Sequence, residues 1–206
     1  MKKLFIVLLL SLFIVTGCGN SMTPTGAVED YLGKYQSMDS EVLSQLDSVV
    51  SNDTTMSDDQ KKEYKALMEK QYQYLSYKVT NEEIIGDTAT VDVEIEVFDY
   101  ASSIRKSSQY YQDNRDMFEE VDNSNDKDQE KVEDNNASHE GNVNTDDGNI
   151  ITETKKYIDY KIEQMKMVTD KIKYTITFNL SKEDDKWVVD DISDMDRKKI
   201  HGLFDE

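Results

Sequence analysis

Apolar positions in this chain keep a helical period up to Leu75 and then switch to strict alternation. Val28, Tyr31, Leu32 and Tyr35 recur at steps of three and four, which predicts a helix opening at Thr23-Pro24 or Thr25. The single proline suits a first helical position, where its missing N–H has no partner to lose. Val42, Leu43, Leu46 and Val49-Val50 predict a second helix, capped by Asp39 or Ser40. Ser51 to Thr55 is a polar break. Ser57 caps a third helix with Tyr64, Leu67, Met68, Tyr72 and Leu75 on one face. Asp58 and Asp59 favour its positive end.

Alternation begins at Leu75, Tyr77 and Val79, and Gly86-Asp87 marks a turn. Val91, Val93, Ile95 and Val97 alternate with Asp92, Glu94 and Glu96, the pattern of a half-buried strand. Ile172, Tyr174, Ile176, Phe178 and Leu180 repeat it. Ser181 to Asp185 is expected to turn the chain, and Trp187-Val188-Val189 to Ile192 to return it as a hairpin. The acidic face of the Val91 strand needs neighbouring cations, and Lys78 and Lys173 are placed to supply them. Asp194 to Phe204 is expected to form a short closing helix.

Between these strands the helical period returns. Ala101, Ile104, Ser108, Tyr111, Arg115 and Phe118 form one stripe. Ile151, Lys155, Ile158, Ile162, Met165, Thr169 and Ile172 form another. The expected fold is α+β, with N-terminal helices on a curved antiparallel sheet. A helical hairpin at about residues 100–170 is inserted between its strands. Residues 122–149 at the hairpin tip are rich in Asp, Asn, Glu and Ser. Such a segment buries too little apolar area to offset its ordering entropy, so a flexible acidic loop is expected.

The N-terminus changes the picture. Lys2-Lys3 precedes an apolar run, Leu4 to Val15, that ends in Val15-Thr16-Gly17-Cys18. The run is too short for the roughly 20 residues of a spanning helix. A basic start, a short apolar core and small residues at its end make a signal segment. The motif resembles the lipobox of bacterial lipoproteins. That resemblance implies a signal peptide at residues 1–17, removal before Cys18, and diacylglycerol on the Cys18 thiol. It also implies a location on the outer face of the bacterial cytoplasmic membrane. Residues 18–25 then read as a lipidated tether and 26–206 as one domain. Cys18 is the chain's one cysteine, so no disulfide is available. Removing Lys2 and Lys3 deepens the formal charge from −19 to −21. An acidic surface of that size argues against nucleic acid as a partner and against electrostatic attachment to anionic lipid.

A second resemblance rests on Ile84-Ile85-Gly86-Asp87-Thr88-Ala89-Thr90-Val91 and Lys186-Trp187-Val188-Val189-Asp190. Over residues 27–100 and 151–204 the chain looks like small Gram-positive lipoproteins with a nuclear transport factor two-like (cystatin-like) cone. That fold hosts enzymes, ligand carriers and scaffolds, so it does not choose a function.

Candidate chemistry is sparse. His139 lies in the acidic loop and His201 near the C-terminus, neither on a core-facing strand. The inward strand positions are apolar save the Tyr174 phenol, which is expected to pack with its hydroxyl at the rim, so no general acid or base and no catalytic residue is expected. Asp122, Ser124, Asp126, Asp128, Glu130 and Glu133 fall at positions 1, 3, 5, 7, 9 and 12 of a calcium loop. Lys127 replaces the glycine that the loop's sharp turn needs, and Asp134-Asn135-Asn136 makes a poor exit helix. A solvated loop is expected, with no metal and no cofactor beyond the covalent lipid. Tyr64, Tyr72, Tyr74, Tyr110, Tyr111, Tyr157 and Tyr160 offer either a sugar- or peptide-binding surface or ordinary cover for half-buried helices. The leading expectation is a non-enzymatic binding or scaffold module that meets a protein or envelope component. A carrier of a small hydrophobic ligand in the cone is the alternative, and a hydrolase or isomerase the third reading.

Overall fold

A computed structural model describes residues 23–118, 142–144, 150–152 and 154–205. Three helices come first: α1 (Pro24–Gln36), α2 (Ser40–Asn52) and α3 (Asp58–Gln73). Each starts at a side-chain cap. Thr23 accepts from the Gly26 N–H, Asp39 from Glu41, and Ser57 from Gln60 in a reciprocal capping box. Pro24 and Thr25, expected in the tether, belong to α1 because the Thr23 cap already closes its first turn.

The sheet follows as β1 (Ser76–Ile85) and β2 (Thr88–Phe98). After α4 (Tyr100–Asp113), α5 (Arg115–Phe118) and α6 (Lys155–Lys166) it resumes with β5 (Lys171–Glu183) and β6 (Lys186–Val189). Its order is β1-β2-β5-β6, every neighbour antiparallel. A separate pair, β3 (Asn142–Asn144) and β4 (Ile150–Thr152), is antiparallel too, and α7 (Asp194–Ile200) closes the chain. The described residues therefore hold seven helices and a four-stranded antiparallel sheet, an α+β fold.

Several element ends differ from expectation. The Ile151 stripe does not start the helix: α6 begins after Thr154, whose hydroxyl caps the Tyr157 N–H, while Ile151 lies in β4. The stripe also runs past the helix end, and Ile172 belongs to β5. Asn114 divides the first stripe into α4 and α5. The turn expected over Ser181–Asp185 narrows to Asp184-Asp185. Both have positive φ, the geometry of a two-residue hairpin turn, so pairing continues out to Glu183–Lys186. The return strand stops at Val189, short of Ile192.

One sheet face is filled. Val91, Val93, Ile95 and Val97 are 0% exposed, and Tyr174, Ile176, Phe178 and Leu180 beside them are also buried. Val28 and Leu32 of α1 and Leu67, Met68 and Tyr72 of α3 join them in one core. Each such side chain contributes about 1.5–3 kcal/mol by leaving water. The Tyr174 hydroxyl satisfies itself at the rim by donating to the Phe204 carbonyl at 2.7 Å. On the opposite face Lys173 reaches diagonally to Glu94 at 2.8 Å, Lys171 to Glu96 at 3.5 Å, and Thr177 donates to Asp92. The Lys173 hydrogen bond holds the Glu94 carboxyl below its usual range. Lys78 stands opposite Glu94 on β1, so both expected lysines serve the acidic strand.

Two glutamines lock helices to this frame. Gln71 on α3 is fully buried. Its amide donates to the Phe98 carbonyl and accepts from the Phe98 N–H, extending the ladder where β2 ends. Gly202 crosses the same spot with φ +68°, and its carbonyl accepts from the Ala101 N–H at 2.8 Å. Gln60 on α3 donates to the Lys155 carbonyl and to Asp159, which ties α6 along α3. Ile158, Ile162 and Met165 thereby enter the main core.

Candidate functional site

The α4 helix spends four of its 14 positions on serine: Ser102, Ser103, Ser107 and Ser108. Serine is a poorer helix former than alanine, because its hydroxyl competes for backbone partners. Two of the four have packing roles. Ser107 is buried and donates to the Ser103 carbonyl, while Ser108 meets the Tyr157 hydroxyl at 2.9 Å where α4 and α6 touch. Ser102 and Ser103, with Ser107, line a surface cleft of about 430 Å³ between α4, α6 and the 167–170 segment. That volume is within the roughly 300–1,000 Å³ of ordinary ligand clefts.

The cleft has an aromatic wall and polar sides. Tyr110 and Tyr160 stack at 5.1 Å with planes 26° apart, and Phe118 meets Tyr110 edge-on. Behind them Tyr111, Phe118 and Tyr157 form a second small core. Asp99 accepts from the Ser102 N–H and so caps α4 at the cleft's edge. The side chains of Ser103, Lys106, Gln164 and Asp170 also line the cleft, and among the described residues none of them makes a hydrogen bond or ion pair. These groups remain hydrated and available, with both donors and acceptors among them.

A second recess, about 80 Å³, lies between α1, α2, α3 and α7. Val42, Leu46 and Met68 make it apolar, and His201 at the end of α7 places Nε2 3.2 Å from the Tyr72 hydroxyl. Burial, aided by the nearby Arg197 charge, pushes His201 down to about 4, so the imidazole is neutral near pH 7. Burial also pushes the Tyr72 and Tyr31 phenols upward. A neutral imidazole beside a phenol can pass a proton in principle. The recess, however, is far below the roughly 300 Å³ of a ligand cleft. A polar recess of about 160 Å³ shares Tyr35, Val42 and Arg197 with it but brings Glu41, Asp190 and Asp191.

The anticipated tyrosine surface is divided between these places. Tyr64 and Tyr72 line the small recess, Tyr110 and Tyr160 the large cleft, and Tyr74 rests exposed on Phe98. His201 does lie off the strands, as expected, yet α7 folds back and sets it against α3. The loop set Asp122, Ser124, Asp126, Asp128, Glu130 and Glu133 lies outside the described residues, as do Cys18, the signal segment and His139. Among the described residues no group of His, Cys, Asp or Glu is arranged to hold a metal, and no helix is long and apolar enough to cross a membrane.

Fold and cleft together define an α+β domain with a polar, aromatic-walled groove between two helices. Comparison with protein-family models, curated proteins and solved structures finds no match to this chain.

Proposed function

We propose that this protein is a lipid-anchored extracytoplasmic binding module whose partner is met by the α4–α6 cleft. The anchor rests on Val15-Thr16-Gly17-Cys18 after a basic start and a short apolar run. Diacylglycerol on Cys18 supplies two acyl chains, the number that stable anchoring needs. The formal charge of −21 left after removal of residues 1–17 would otherwise keep the domain off an anionic membrane. In this reading the four-stranded sheet is the wall of a nuclear transport factor two-like cone, and α4 with α6 is the hairpin inserted between β2 and β5.

One observation carries the binding role: the side chains of Ser103, Lys106, Gln164 and Asp170 line a cleft of ligand size and, among the described residues, make no hydrogen bond or ion pair. The filled inner face of the sheet favours this reading over a carrier of a hydrophobic ligand and over a hydrolase or isomerase.

A photoreactive residue at Lys106 in intact cells tests the cleft, with one at the exposed Met195 as control. Discrete adducts from Lys106 alone are expected, and identical patterns from both positions would defeat the reading. For the anchor, Cys18→Ala is expected to remain an unprocessed precursor without lipid label. Persistent processing and labelling would remove the lipobox assignment.

A further inference from the structure

We infer that the α4–α6 cleft recognises an uncharged sugar ring, seated against the Tyr110–Tyr160 pair and held by Lys106, Gln164 and Asp170. The inference rests on the cleft being the protein's binding face, and it names the ligand's chemistry.

The charges decide first. The lining carries one lysine against two carboxylates, Asp99 and Asp170, in a chain of formal charge −19. A phosphate or carboxylate ligand would gain one cation and meet two anions. A cationic ligand would gain the two carboxylates and meet the Lys106 ammonium. A neutral ligand avoids both penalties.

The hydrogen-bonding inventory decides next. A sugar hydroxyl donates and accepts at once, so its site needs both kinds of group. Lys106 only donates, Asp170 only accepts, and Gln164 does both. All three lack protein partners among the described residues. Binding would exchange water for ligand hydroxyls without breaking any contact of the fold. An extended peptide would need apolar pockets for its side chains, and here the aliphatic lining is limited to Met167 and Val168.

The aromatic wall completes the match. Tyr110 lines the cleft, is 38% exposed and turns its hydroxyl to the Met117 sulfur at 3.7 Å, so the residue is not covered by the fold. Its stacking on Tyr160 and the Phe118 edge keep that ring in place before binding, which lowers the ordering cost. A pyranose has an apolar C–H face and a hydroxyl rim, the same division of surface that a tyrosine has. The cleft pairs face with face and rim with rim. Ser103 adds a hydroxyl that does no work for the helix, a local concession of the kind found where a site is built.

The test is saturation-transfer NMR on the full chain in micelles of a non-glycosidic detergent, with N,N′-diacetylchitobiose and cellobiose as probes. Transfer to ring protons of at least one sugar is expected. It should fall at least fivefold in both Tyr110→Ala and Gln164→Ala and persist in Met195→Ala. Circular dichroism of each variant guards against loss of fold, and Gln164→Ala, whose side chain makes no hydrogen bond among the described residues, carries the test if Tyr110→Ala unfolds. No transfer to either sugar, or transfer unchanged in folded Gln164→Ala, overturns the inference. If the sugars fail while the Lys106 photoprobe still captures a polypeptide, the binding module stands and the sugar does not. If both experiments fail, both readings fall.

Discussion

Gln71 and Gln164 sit on α3 and α6 and are used in opposite ways. Gln71 is fully buried, and both ends of its amide bond the Phe98 backbone. Gln164 lines the cleft and bonds nothing among the described residues. The same contrast separates whole regions. Around β2, β5 and α3 the buried polar groups are partnered, down to Gln60 on Lys155 and Tyr174 on Phe204. At the cleft the side chains of Lys106, Asp170, Ser103 and Gln164 share a concavity without a hydrogen bond or ion pair among the described residues. Folding demands the first arrangement, because an unsatisfied buried group costs about 1–3 kcal/mol. It does not demand the second, whose groups are hydrated at the surface and open to a ligand.

The partnered region breaks most sharply at Gly202. A Cβ there would collide with the Phe98 carbonyl and the Gln71 amide, at a φ of +68° that L side chains rarely adopt. Moving the backbone away would give up the Ala101–Gly202 bond and the clamp at the end of β2. Gly202→Ala is expected to cost about 3 kcal/mol or more. Urea unfolding measures it, and a loss below about 0.5 kcal/mol would show that the chain end is not locked to the sheet.

His201 gives a smaller, pH-dependent effect on the same side of the comparison. Its folded value is depressed to about 4 from an ordinary 6.5. Protonation therefore favours the unfolded chain. The neutral ring's contribution is intact above the unfolded value and is lost as pH falls from about 6.5 toward 4. Between pH 7 and pH 5 the wild type should lose about 1–2 kcal/mol more than His201→Gln, the carboxylates acting alike in both. Equal losses would mean that the imidazole keeps its hydration.

Features set by neighbours in sequence were legible from the start. The Ser57 cap, and one of the two starts named for each of the first and second helices, Thr23 and Asp39, follow from a hydroxyl or carboxylate beside the first apolar step. The β2 and β5 faces follow from alternation, since successive side chains must point to opposite sides. Ambiguity enters where one residue fits two patterns. Ile151 and Ile172 both match the α6 stripe, yet each belongs to a strand, because the Thr154 cap and the Lys166 end set the helix independently of apolar spacing. The cleft was legible least. Its tyrosines were visible as candidates, but Ser103, Lys106, Gln164 and Asp170 come from segments some sixty residues apart and carry no apolar period. His201 was equally hidden, since its partner Tyr72 is 129 residues away.

The smallest effects bear on the unpartnered side. Gln164→Ala removes an amide that holds nothing, so its stability should stay within about 0.5 kcal/mol of wild type. Ser103→Ala should be neutral or stabilising by a few tenths of a kcal/mol, as alanine is the better helix former. Urea midpoints at pH 7 read both. A cost of about 1 kcal/mol or more in either would place these side chains in the fold and erase the contrast with Gln71. Neutral stability would show that Ser103 and Gln164 line the cleft without holding the fold. A serine on α4 where alanine is the better helix former, beside Lys106 and Gln164 side chains that make no hydrogen bond or ion pair among the described residues, is what the proposed ligand role of the cleft accounts for.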